Sequence, residues 1–230
     1  MEDQTRRGYA ICGEQRTGST FLAQMLASTG RLGVPREFFS VNPMRRYVDP
    51  NYPADPEAQL GQVLPLGSTA NGVYGLTVFT GHFDDARRTR WAERLPNLAF
   101  VHLRRRDLLG QALSLVRAQQ TDQYHSHRPQ AGEPRYDRDR INEALVGLAR
   151  TEARWRYWFA RNGLDPLMLD YEDLAERPLE AVGRIAVLVG VSGEVTVDFD
   201  KVANRVQRDD QTEDWRKRFL AESRNLAVFN

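Results

Sequence analysis

A short apolar run, Tyr9-Ala10-Ile11-Cys12, leads into Gly13-Glu14-Gln15-Arg16-Thr17-Gly18-Ser19-Thr20, after which Phe21, Leu22, Met25 and Leu26 recur at helical spacing. Strand, glycine-bounded loop and helix in that order constrain the chain more than any other feature. In that geometry the loop N–H groups and the helix N-terminus face one point, and an anion binds there without needing side-chain charge. The spacing is that of a phosphate loop: glycine, four residues, glycine, then hydroxyl residues opening the helix. In a nucleotide triphosphatase the residue after the second glycine is lysine. Here it is Ser19, and the cation is Arg16 inside the loop. That exchange points away from ATP with Mg²⁺ and towards a terminal anion of different geometry. By itself the segment also fits a plain strand-to-helix turn in which Ser19 and Thr20 only cap the helix.

Further strands are predicted at Val73–Phe79, Leu98–Leu103 and Leu167–Leu169, with helical stretches after the last two. Asp107 is the expected N-cap of a helix carrying Leu108, Leu109, Ala112, Leu113 and Val116. Residues 141–160 predict another helix, stopped at Asn162-Gly163. Strands alternating with helices imply an α/β fold, a mainly parallel sheet flanked by helices. At 230 residues the chain fits one domain spanning 1–230. Two segments interrupt the pattern and are expected as surface excursions beside the site: 42–72, with five prolines, and 121–140, which is polar and holds His125 and His127.

Composition narrows the function. The net charge of +1 argues against a dedicated nucleic-acid binder. No apolar run reaches the roughly 20 residues of a membrane-spanning helix, and the chain reads as cytoplasmic. Cys12 is the sole cysteine, which leaves packing as its expected role. His125 and His127 lack a cysteine or a well-placed carboxylate to complete a metal site, so no metal is expected. Only Lys201 and Lys217 of the 32 basic residues are lysines, leaving 30 arginines. Arginine suits bidentate recognition of phosphate and sulfate, and Arg104-Arg105-Arg106 lies just before the Asp107 helix.

Four blocks, in order, resemble the bacterial trehalose sulfotransferase-like family. They are GEQRTGSTFLAQMLASTGRLGVPREFF from Gly13, FVHLRRRDLLGQALSLVRAQQT from Phe100, LDYEDLAERPLEAVGRIAVLVGV from Leu169 and QRDDQTEDWRKRF from Gln207. The resemblance implies a P-loop-like sulfotransferase fold and 3'-phosphoadenosine-5'-phosphosulfate (PAPS) as sulfuryl donor. Its 5'-phosphosulfate would lie on Gln15, Arg16, Thr17, Gly18, Ser19 and Thr20, with Arg16 also catalytic. Its 3'-phosphate would lie at Arg105, with Arg106 close behind and Arg104 a third choice, and at Ser114. Glu37, in the P-x-E-[FY]-F segment, matches the general base, with His82, His125 and His127 as the fallback bases. The implied partners are a small-molecule hydroxyl acceptor, whether a sugar, a lipid-linked glycan or a natural-product hydroxyl, and a second copy in a homodimer. The sequence departs from the family at 42–72 and at Thr77, where a lysine is expected.

Two other readings stay open. A P-loop small-molecule kinase or nucleotide hydrolase would share the loop, although Ser19 replaces its lysine and Leu169-Asp170 is the only weak metal-binding candidate. A catalytically silent anion-binding protein could share the fold.

Overall fold

The computed structural model describes residues 6–124, 131–204 and 210–223. Four strands, β1 (Arg7–Gly13), β2 (Val73–Phe79), β3 (Leu98–Arg104) and β4 (Leu167–Asp170), form one parallel sheet in the order β2-β1-β3-β4. The chain leaves β1 for one side to make β2, then crosses to the other side to make β3. The carboxyl end of β1 is therefore a topological switch point, where open α/β sheets place their ligands.

Alternation along the strands divides the core. Tyr9 and Ile11 point to one face, packing with Leu22, Met25 and Leu26 of α1 (Ser19–Ser28) and with Val182 and Ile185 of the helix Pro178–Leu188. Ala10, Cys12, Leu76 and Val78 point to the other. There they meet Leu60 and Val63 of the helix Pro56–Gly67, Trp91, and Trp155 and Phe159 of the helix Arg138–Arg161. Both faces are covered, which is why the strands read as continuous apolar runs. Cys12 is fully buried, as its packing role required.

The helix after β3, Leu108–Thr121, is capped by Asp107, whose side chain accepts from Gly110 N at 2.9 Å. The long helix begins at Arg138, three residues before the expected start, because Asp137 caps it by accepting from Arg140 N at 3.0 Å. It stops at Asn162, and Gly163 follows with φ +62°.

Residues 42–72 contain two helices, Val41–Tyr47 and Pro56–Gly67, where a loop excursion was expected. Proline misleads here because Pro56 occupies the first helical turn, where its missing N–H costs nothing, and Asp55 caps that turn by accepting from Ala58 N at 2.9 Å. In the second segment, the Gln120 side chain bonds both N–H and C=O of Arg135. His125 and His127 lie outside the described residues.

Candidate active site

The Gly13–Thr20 loop leaves β1 at the switch point. A Cβ on Gly13 would come within 2.4 Å of Leu103 O, so only glycine lets β3 approach there. The Gly13 carbonyl accepts from Trp155 Nε1 at 3.1 Å, and Gln15 O accepts from Gln111 Nε2 at 2.8 Å. Arg16 (φ +67°) and Gly18 (φ +81°) are both left-handed on either side of Thr17, and no side chain caps α1. The loop is thus pinned from outside while its N–H groups and the first turn of α1 stay available to an anion. The Thr17 hydroxyl turns back to donate to Glu14 O at 2.7 Å. Gln15, Arg16, Gly18, Ser19 and Thr20 line a cavity of about 1160 Å³.

Arg16 spans that cavity's edge. Its Nε donates to Ser114 Oγ at 2.9 Å and its Nη1 to Tyr124 O at 2.9 Å. Burial, then the neighbouring Arg105 charge, lower its pKa, a tension that an anion would relieve.

The three adjacent arginines separate by strand alternation. Arg104 and Arg106 turn to one side, where both pair with Asp170, at 2.6 and 2.9 Å, and Arg106 also with Asp173 at 2.9 Å. Neither borders the cavity. Arg105 turns into it, its guanidinium 4.5 Å from the Tyr171 ring centre and its Nη1 3.4 Å from Arg16 O. Arg105 Nε is buried and has no hydrogen-bond partner among the described residues. Glu172 accepts from the Arg106 and Asp107 backbone N–H groups, at 3.1 and 3.0 Å, fixing the turn that aims Arg105. The Tyr171-Glu172-Asp173 block is therefore the frame of the Arg105 site, a role its residue types did not reveal.

Across the cavity, residues 34–37 run along the free edge of β2, and Thr77 N donates to Arg36 O at 2.8 Å. Glu37 and Arg36 both line the cavity. Among the described residues the Glu37 carboxyl has no hydrogen-bond or ion-pair partner, and burial alone pushes its pKa up to about 7. A carboxylate of that basicity in a cleft is suited to accept a proton near neutral pH. His82 lines the same cavity.

With the loop, Arg105 and Glu37 brought to one cavity, comparison with known proteins decides the family: the model for Stf0 sulphotransferase matches residues 8–222. The chain belongs to the Stf0 sulphotransferase family. It is 27% identical to the trehalose 2-sulfotransferase of Mycobacterium tuberculosis, over 96% of this chain and 97% of that protein. It is 24% identical to the trehalose 2-sulfotransferase of Mycolicibacterium smegmatis, over 92% of this chain and 93% of that one. The sulfotransferase domain of the Synechococcus PCC 7002 olefin synthase superposes with a TM-score of 0.50 at 17% identity, covering all of this chain and 92% of that domain. That likeness agrees with the α/β sulfotransferase fold. Among the described residues no helix is long and apolar enough to cross a membrane.

Of the residues expected in the site, this Stf0 chain brings Gln15, Arg16, Gly18, Ser19, Thr20, Glu37, Arg105 and Ser114 to the cavity. Arg106 and the Thr17 side chain are directed elsewhere. Sequence reasoning missed Glu14, whose buried carboxyl accepts from Thr80 N at 3.1 Å and ties the loop to the end of β2. It also missed Arg216, which holds Asp107 through two guanidinium contacts. Both act through chain segments far apart in sequence, and no local pattern marks them.

Proposed function

We propose that this chain is a PAPS-dependent sulfotransferase acting on a hydroxyl of a carbohydrate or other small-molecule acceptor, with Glu37 as general base. The observation that carries the reading is one cavity walled by an open anion-binding loop, an arginine whose buried Nε is unpartnered, and a carboxyl of raised pKa. The relatives' activity on trehalose supports a carbohydrate acceptor.

The residues fit the donor. The loop N–H groups, Ser19, Thr20 and Arg16 would hold the 5'-phosphosulfate, while Arg105, beside the loop, would take the 3'-phosphate on its unpartnered Nε. PAPS supplies an activated sulfuryl group whose bond to the 5'-phosphate oxygen breaks as the bond to the acceptor oxygen forms. Arg16 and the loop would stabilise the charge gathering on the leaving phosphate oxygen. Glu37 takes the acceptor's hydroxyl proton, a step typically worth about 10²–10⁴-fold. Ser114 orients the Arg16 guanidinium through its hydroxyl.

The deciding experiment is ligand-dependent thermal stability with 3'-phosphoadenosine 5'-phosphate. A ligand at about 100 times its Kd stabilises by about 2.7 kcal/mol. A clear rise is expected with this nucleotide. Stabilisation by ATP with Mg²⁺ and none by the bisphosphate would instead favour a P-loop kinase or hydrolase.

A further inference from the structure

The wall that carries Glu37 also carries a cation without a counter-charge. Arg36 lines the cavity, and its Nε is buried with no hydrogen-bond partner among the described residues. Burial is the sole cause lowering its pKa, and among the described residues no carboxylate forms an ion pair with it. Glu37 does not serve: burial alone governs its carboxyl too, although the two residues are adjacent in the chain. Two other arginines around the cavity differ, since Arg216 pairs with Asp107 at 2.5 Å and Arg46 lies 3.5 Å from Asp122.

Position distinguishes Arg36 from the arginines assigned to the donor. The sheet runs β2-β1-β3-β4, and Arg36 lies outside β2, bonded to its free edge at Thr77. Strands are spaced by about 4.8 Å, which puts the Arg36 backbone about 10 Å from β1 and about 14 Å from β3, the strands from which the loop and Arg105 emerge. An acceptor whose hydroxyl reaches Glu37 is therefore the molecule that meets the neighbouring guanidinium.

Resting on the sulfotransferase reading, we infer that Arg36 is a specificity-determining residue and that the acceptor is an anionic hydroxyl compound, a sugar acid or sugar phosphate, whose negative group binds the Arg36 guanidinium while its hydroxyl faces Glu37. A planar guanidinium suits both carboxylate and phosphate oxygens. Leaving a half-buried cation unpaired disfavours a neutral acceptor of the same shape, because nothing repays the lost hydration.

The test uses the protein loaded with 3'-phosphoadenosine 5'-phosphate and two matched probe pairs, glucuronate with glucose and trehalose 6-phosphate with trehalose. Binding is measured by calorimetry, for wild type, Arg36→Gln and Arg36→Lys. At least one charged probe should bind wild type tenfold or more tightly than its neutral twin. Arg36→Gln should abolish that preference without changing the nucleotide's own affinity, and Arg36→Lys should keep part of it. Equal or undetectable binding of charged and neutral probes to wild type overturns the inference, as does a preference that survives Arg36→Gln. Should the glutamine variant not fold, the lysine variant and the wild-type preference decide. Weaker nucleotide binding in Arg36→Gln would move the guanidinium to the donor and overturn it as well. Failure of the nucleotide to bind wild type at all refutes the sulfotransferase reading instead, a separate result.

Discussion

Arg16 Nε donates to Ser114 Oγ at 2.9 Å, so the anion-binding loop and the helix after β3 share a hydrogen bond. Together with the bond from Arg16 Nη1 to Tyr124 O, it holds the guanidinium at the cavity edge. Ser114→Ala should weaken binding of 3'-phosphoadenosine 5'-phosphate by roughly fivefold, the equivalent of about 1 kcal/mol for one net hydrogen bond. Calorimetry reads this directly; unchanged affinity would mean that Tyr124 O alone orients Arg16.

Glu37 yields a paired prediction in pH. Its carboxyl is raised from 4.5 to about 7 by burial, so the ionised base is lost as pH falls through about 7, and kcat/KM should decline below that point. Glu37→Gln should lower turnover about 10²-fold or more while leaving nucleotide affinity nearly intact, and the remaining activity should lose that pH limb. Wild-type turnover in the glutamine variant would make Glu37 a turn residue and move the base to His82 or another group.

The same shift predicts stability with the opposite sense to a salt-bridged acid. A carboxyl with raised folded pKa favours folding when protonated, and its penalty grows as pH rises from 4.5 to about 7 and stays constant above. Glu37→Gln should therefore stabilise the protein at pH 8, by at most about 3–4 kcal/mol, and give no gain at pH 4. Thermal melts at the two pH values check it.

Arg105 and Arg106 should separate cleanly although they are adjacent. Arg105→Ala removes a cavity-facing cation and should cut the preference for 3'-phosphoadenosine 5'-phosphate over the analogue lacking the 3'-phosphate, by about 1.5–3 kcal/mol. Arg106→Ala removes contacts to Asp170 and Asp173 and should lower Tm while leaving that preference unchanged. The reverse pattern would reassign the 3'-phosphate.

Trp155 Nε1 is the buried donor to Gly13 O. Trp155→Phe leaves that carbonyl unsatisfied at the entry to the loop, a cost of about 1–3 kcal/mol. Tm should fall, and nucleotide affinity should fall with it, because the loop's anchor and the ligand's cradle are one segment. Loss of stability with affinity retained would separate the two.

Much of this was legible in one dimension. The strand-loop-helix at Tyr9–Leu26, the Asp107 cap and the Gly163 stop are local events, set by backbone sterics and by hydrogen bonds between near neighbours, and the residues that cause them stand beside them in the chain. The continuous apolar strands likewise carry their own reason, burial on both faces. Pro56 misled because one residue type serves both loops and first helical turns, and only packing of Leu60 and Val63 against the sheet selects the helix. Alternation and the resemblance favour Arg105 among the three consecutive arginines, but which side of the chain faces the cavity is decided by where Asp170, Tyr171 and Asp173 arrive, 64–67 residues away. Tertiary structure alone put Arg36 beside Thr77 and raised the pKa of Glu37, because desolvation is a property of everything packed around a group and is not written at the position of the group itself.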